Sequence, residues 1–326
     1  MVRSRIIAIT LATAALTGLA GCSDDAIGGG NGTGLLAALG KVRATDSTRQ
    51  WVEYGNVVAA QVLADQEKRF LGLTGFGMGN LRNYARAIPE ELGFDPLRFR
   101  EAVSAGSPPD TTAIAWGDYD VNAVNAKLAE FGIERSDDGD ATTWSASPDG
   151  SIRIDSPLVQ IAGPNTLNNV RTAPGSFAFA ARRDTLSWVT DPGDDTLAED
   201  PAMKSVAECL GTVIAAIISR DGRSTMTIGV GVRASSPTEV TDVICVAPGD
   251  RDPASIRDNA SRQLAEGQSA VTARPWSELL PDAKVEVAGD PSYVRLTANP
   301  GADNPPGRVI QMLMNRDLNF LLGLEG

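Results

Sequence analysis

The chain of 326 residues contains no histidine. Ser-His-Asp and Cys-His hydrolases, HExxH metalloproteases and histidine-based metal sites are thereby excluded. No G-x-S-x-G occurs, and no lysine follows a serine by three positions, so the nucleophile elbow and the S-x-x-K acyl-transfer site are absent too. "LGKV" at Leu39 lacks the upstream glycine of a P-loop. "GFGMGN", residues 75–80, has alternating glycines at the wrong spacing for a dinucleotide fingerprint and reads as a mobile loop. No cofactor is expected. Cysteine is scarce, three in all, with no C-x-x-C redox spacing. Beyond the N-terminus no apolar run is long enough for a membrane span, which needs about 20 residues.

What is present begins with the first 22 residues. Arg3 and Arg5 precede an apolar stretch over residues 6–16, and "LAGC" follows at residues 19–22. A secretory signal has this order of parts. A small-residue cleavage site ending in cysteine resembles the lipobox of bacterial lipoproteins. The resemblance implies cleavage before Cys22 and a thioether-linked diacylglycerol on it. Residues 1–21 are then signal, and residues 22–34 form a glycine-rich tether with nothing to bury, spanning on the order of 20 Å. Asn31-Gly32-Thr33 matches a glycosylation sequon and reads as chance. The signal takes two arginines with it, so 27 basic residues face 41 acidic ones, a side-chain charge of −14. Such a body is not expected to bind nucleic acid or to dock electrostatically on anionic headgroups.

With Cys22 carrying lipid, Cys209 and Cys245 remain. In an oxidising envelope the pair reads as a disulfide, with two buried thiols as the alternative. Closing a loop of 36 positions stabilises by roughly 4 kcal/mol in the chain-entropy model.

The body divides into expected lobes at 35–170 and 171–326. Helices are expected at 35–42, from Asp95-Pro96 to Gly106, over 203–219, over 253–266 and from Pro306 onward, the last with Ile310, Met314, Leu318 and Leu321 on one stripe. "RQWVEYGNVVAA" reads as a strand running into a helix. "TTAIAW" and "DATTWSAS" read as strands. "SFAFAA" with "TLSWVT", "TMTIGVGVRA" with "EVTDVICVA", and "KVEVAG" with "SYVRLTA" read as hairpins. The fold class is α+β: antiparallel sheets with helices packed on one face.

"GDYDVNAVNAKLAEFG" (residues 117–132) has a cousin in "PGDRDPASIRDNASRQLAEG" (248–267). Each runs Gly-Asp-x-Asp, helix, Leu-Ala-Glu, Gly. Their helices differ by four positions, about one turn. The two lobes are thus candidates for an internal duplication. Asp252 stands before Pro253, as Asp95 and Asp200 stand before Pro96 and Pro201. Aspartate followed by proline at the first helical position is an N-cap signature. Asp95, Asp120, Asp200 and Asp252 therefore read as helix caps, not as an acidic catalytic or metal set.

"ERSDDGDAT" and "DPGDDTLAED" have carboxylates for calcium but not the order of an EF-hand loop, and read as solvated turns. Glu90 and Glu91 offer one half of a glycosidase pair with no visible partner. "LAGC", "SPPDTTAIAWGDYD" and "EFGI" resemble a group of actinobacterial lipoproteins without an established activity. That resemblance implies the extracytoplasmic face of the cell membrane, with Cys22 as its one functional residue. The expectation is a non-catalytic lipoprotein that binds or scaffolds an envelope protein. The alternative is a carrier of a lipid or other apolar small molecule, suggested by apolar strand faces with small partners at Gly229 and Gly231. A carboxylate-based hydrolase of cell-wall glycan is the third reading.

Overall fold

A computed structural model describes residues 34–149, 151, 154–220, 225–301 and 304–324. Cys22, the rest of the tether before Gly34 and the sequon lie outside them. The chain opens with helices α1 (Leu35–Leu39) and α2 (Asp46–Gln50), strand β1 (Trp51–Gly55) and helix α3 (Val57–Gln66). Two 3-10 turns (Lys68–Leu73 and Gly79–Tyr84), helix α4 (Ile88–Leu92) and a third turn (Pro96–Arg98) lead into β2 (Glu101–Ser107) and β3 (Asp110–Trp116). Next come α5 (Val121–Glu130), β4 (Glu134–Asp138), β5 (Ala141–Ser145), α6 (Pro157–Ala162), β6 (Asn169–Ala173), β7 (Ser176–Ala180), α7 (Arg183–Thr190) and α8 (Pro201–Leu210). The remainder is β8 (Ala215–Arg220), β9 (Thr227–Ala234), β10 (Val240–Ala247), α9 (Pro253–Glu266), α10 (Trp276–Leu279), β11 (Lys284–Ala288), β12 (Tyr293–Ala298), α11 (Arg308–Met314) and α12 (Asp317–Leu322).

The class is α+β, with one sheet instead of several. Its twelve strands run β11-β12-β10-β9-β8-β1-β2-β3-β7-β6-β5-β4, antiparallel throughout. Helices cover both faces, not the single face expected. On one face Ile217, Val230 and Ile244 pack with α3, α9, α11 and α12. Farther along the same face Trp144, Phe177 and Phe99 pack with α4, α5 and α6. The other face joins Val52, Val103 and Ile218 to α1, α7 and α8. A strand covered on both sides is apolar at consecutive positions and loses its alternation.

That loss explains the main misreading. Residues 203–219 are not one helix. α8 ends at Leu210, Gly211 breaks it with φ 64 and ψ −143, and the apolar run continues as the central strand β8, whose first four residues are buried. A short, continuously apolar segment does not distinguish a buried strand from a helix by its period. "TLSWVT" errs the other way. It lies in α7, where the Thr185 hydroxyl accepts from the Arg182 N–H at 3.3 Å and Leu186 and Val189 are buried three positions apart. The expected helix after Asp95 is only the turn Pro96–Arg98, and β2 takes the rest. The C-terminal helix is two helices, broken at Arg316 with φ 59, which leaves Met314 56% exposed while Ile310, Leu318 and Leu321 are buried.

The four caps are real. Ala123 N–H donates to Asp120 Oδ1 at 3.0 Å. Ala202 and Met203 donate to Asp200, both at 3.1 Å. Ala254 and Ser255 donate to Asp252 at 3.2 and 3.1 Å. Asp95 accepts from Leu97 at 2.9 Å, capping the short turn. Asp200 also holds Arg220 at 2.6 Å and Arg49 at 2.9 Å. Burial pushes its carboxyl up, but the Arg220, Met203 and Arg49 bonds outweigh it and hold the group at about 2.

β1 and β8 lie side by side at the middle of the sheet. From β1 outward the order is β2, β3, β7, β6; from β8 outward it is β9, β10, β12, β11. In each half a hairpin is followed by a helix, α5 or α9, and the chain returns beside the hairpin's second strand. The two Gly-Asp-x-Asp segments stand at corresponding points of this plan. The first half adds the outer hairpin β4–β5. A boundary at 170/171 falls inside β6, which pairs with β5 and β7; the corresponding sets of strands part between β7 and β8.

Cys209 and Cys245 form a disulfide that ties α8 to β10. Beside it, α8 lies directly on the backbone of β9. A Cβ on Gly229 would come within 2.2 Å of Val206 Cγ1 and 2.9 Å of Leu210 Cδ1. The small residues at Gly229 and Gly231 accommodate Val206, Leu210 and Val213, not a ligand. Gly229→Ala should destabilise the fold by about 1–3 kcal/mol through overpacking. The measurement is the urea midpoint at unchanged slope.

In β10 the buried Asp242 accepts from Gly307 N–H at 2.8 Å at the start of α11. Burial pushes its carboxyl up to about 6, against donors on Gly307, Arg308 and Val309. An acid raised in the folded state contributes stability at low pH and loses it as pH rises through the folded value, here between 3.8 and about 6. Asp242→Asn removes that loss, so the stability of the variant relative to wild type should increase from pH 4 to pH 7. A pH-independent difference would count against this assignment.

Candidate functional site

The register of the sheet can be followed across all twelve strands. One transverse row reads Val285, Leu296, Ile244, Val230, Ile217, Glu53, Ser104, Ala113, Phe179, Val170, Trp144, Arg135. It lies on the face that carries the two apolar clusters. Its interior is apolar except at Glu53 and Ser104, neighbours on β1 and β2. Glu53 is 6% exposed. An unpaired buried carboxylate is costly, and the chain meets the demand with the segment that looked like a mobile loop.

Residues 75–79 are packed flush against β1 and β2, with Phe76 and Met78 buried. Gly77 has φ 81, and a Cβ there would stand 2.1 Å from the Ala102 carbonyl oxygen. Only glycine combines that conformation with that approach. Gly77 N–H then donates to Glu53 Oε1 at 2.9 Å. Arg82 Nη1 reaches the same oxygen at 3.5 Å, and its guanidinium lies 4.9 Å from the Phe76 ring centre. Burial pushes the Glu53 carboxyl above its ordinary range, opposed by Arg82 and by the Gly77 and Gly79 amides.

Beside this pair the row is short of bulk. Ser104, Gly106 and Ala113 form the floor of a cavity of about 320 Å³. Trp51 and Phe179 stand at its sides, Pro108 and Pro109 at the β2–β3 turn, and Pro164, Asn165 and Thr166 on the loop before β6. Asn80, Ser104, Thr111, Asn165 and Thr166 line it without a side-chain hydrogen bond to any described residue. Glu53 is the one carboxylate among the described residues of the lining. A paired-carboxyl glycosidase arrangement is therefore not built in this cavity.

The residues singled out in the sequence lie elsewhere. The four capping aspartates mark helix starts and do not converge. Glu90 and Glu91 are exposed on α4. Asp137 is held by Arg135 at 3.0 Å and Thr142 at 2.9 Å, and Asp138 faces Arg171 at 3.7 Å. Among the described residues there is no group of three or more His, Cys, Asp or Glu side chains placed to hold a metal. Glu53 and Arg82 were legible only in part: a glutamate inside the strand "WVEYG" is a signal, but its partner 29 positions on is not.

No protein-family model matches the chain, and no curated protein matches it. Among solved structures, crystal form III of TP0453 aligns over 80% of this chain and 92% of its own, at 14% identity and a TM-score of 0.40. Crystal form I of TP0453 aligns over 85% and 97%, at 13% identity and a TM-score of 0.39.

The ion pair generates a test. Arg82→Met leaves Glu53 buried against backbone donors alone. The melting temperature should fall more at pH 8 than at pH 5, because at the lower pH the carboxyl takes up a proton in place of its partner. Equal losses at both pH values would contradict the coupling.

Proposed function

We propose that this chain is a lipoprotein of the extracytoplasmic membrane face, anchored through Cys22, whose body is a non-catalytic binding protein. The observation that carries the binding reading is the cavity over β1, β2, β3 and β7. It offers uncharged polar groups with no partner among the described residues, and the one acid of its described lining is paired with an arginine. Such a lining orients a ligand and has no pair of groups tuned apart for acid and base work. A cavity of about 320 Å³ is at the small end of ligand sites.

Placement relative to the anchor supports a ligand from the surroundings and not from the anchoring bilayer. Gly34 N–H is held by the Glu101 carboxylate at 3.1–3.2 Å, at the first residue of β2. The cavity rim at Pro108 lies past the other end of that strand, roughly 20 Å away. Gly34 therefore joins the body away from the cavity rim, roughly 10 Å along β2 from the floor at Ser104.

Two measurements test the reading. Cys22→Ser should move the protein from the detergent phase to the aqueous phase of a Triton X-114 partition; unchanged partition would sink the anchor. Native mass spectrometry of the purified chain should show a small retained molecule that Ser104→Trp, which fills the floor, removes. If no molecule is retained and none binds, the scaffolding of an envelope protein is left as the reading of this body.

A further inference from the structure

We infer that the cavity takes an uncharged, hydroxyl-rich ring, a neutral mono- or disaccharide. The inference rests on the cavity being a binding site and names what it selects. Ser104, Thr111 and Thr166 carry hydroxyls, and Asn80 and Asn165 carry amides. Each of these groups both donates and accepts, and none is engaged by another described residue. A ligand that satisfies five such groups in so small a space must itself be dense in groups that donate and accept.

Charge narrows the class. Glu53 and Arg82 pair at 3.5 Å and leave the lining neutral, while the body around it is strongly acidic. An anionic ligand meets repulsion, and among the described residues of the lining no free cation offsets it. An alkyl chain meets the opposite difficulty, because it would strip water from the five polar groups and return no hydrogen bonds. The remaining surface is flat and apolar: Trp51 and Phe179 flank the floor, with Pro108 and Pro109 at the rim. Aromatic side chains present broad, rigid apolar faces, which suit the C–H face of a sugar ring. Trp51 keeps an N–H for a ring hydroxyl.

Isothermal titration of the mature chain with glucose, N-acetylglucosamine and maltose tests the class, with glucose 6-phosphate and hexadecanoate as the anionic and apolar competitors. The expected result is binding of a neutral saccharide, abolished by Ser104→Trp and weakened several-fold by Asn165→Gly. The glycine keeps the backbone at the positive φ of 64 that Asn165 adopts while deleting the amide, so this variant decides the matter if Ser104→Trp does not fold. Binding of hexadecanoate or glucose 6-phosphate in place of the saccharides, sensitive to Ser104→Trp, overturns the saccharide class and leaves the binding site standing. Saccharide binding indifferent to both variants overturns the assignment to this cavity. No binding by any of the five probes overturns the saccharide class, and the binding reading then stands or falls on the native mass spectrum.

Discussion

The antiparallel pairing of β1 with β8 is the contact on which the rest depends. It joins Trp51–Gly55 to Ala215–Arg220, positions far apart in the chain, and turns two sets of strands into one sheet. Once they are joined, the central strands have neighbours on both edges and helices over both faces. Every side chain they carry must then be either apolar or individually satisfied. β8 answers with four consecutive buried apolar residues, Ala215 to Ile218. β1 answers with Val52 and Tyr54 on one face and, on the other, with a glutamate.

Glu53 shows how one polar residue at such a point organises its surroundings. Its burial calls for donors, and the donors come from a segment pressed so closely on the sheet that Gly77 has no room for a side chain. Arg82 follows on the next turn. The same segment then forms one side of the cavity, so the group that settles the charge also helps to shape the candidate site. Asp242 is a parallel case on β10, where the buried carboxylate receives the start of α11. Asp317 on α12 is another, accepting from the Ser269 hydroxyl at 2.6 Å. In each case a buried acid fixes the approach of a separate piece of chain. Glu53 and Asp242, both raised by burial, favour folding toward low pH, whereas Asp200, held at about 2 by its arginines and cap, favours it above the ordinary carboxylate range.

The edges follow a different rule. β4 is exposed along its whole length and reads Glu-Arg-Ser-Asp-Asp, and β11 presents Lys284 and Glu286 to solvent. Charges on both edge strands oppose addition of a further strand. The sheet therefore ends where its outermost residues become acidic or basic, and "ERSDDGDAT" is part of that edge, with Asp137 held by Arg135 and Thr142 and Asp138 facing Arg171.

The local features can be read from the chain alone. Aspartate before a helical run caps that run, because the geometry needs only neighbouring backbone amides. Alternation in "TMTIGVGVRA" and the turn residues after it made the β9–β10 hairpin legible. An even pair of cysteines gave the disulfide, and the matched Gly-Asp-x-Asp segments pointed to corresponding strand-helix units. Which apolar runs are strands depends on long-range pairing. "VIAAIIS" is too continuously apolar for its period to tell a buried helix from a strand, and it becomes β8 because β1 and β9 lie on either side of it. Likewise the glycines of "GFGMGN" and "TIGVG" look like flexibility and open space in sequence. In the fold they are points where another backbone or helix comes too close for a side chain. The cavity belongs wholly to this second class, since Glu53, Arg82, Ser104 and Asn165 meet through strand register and a packed crossing, which no local spacing encodes.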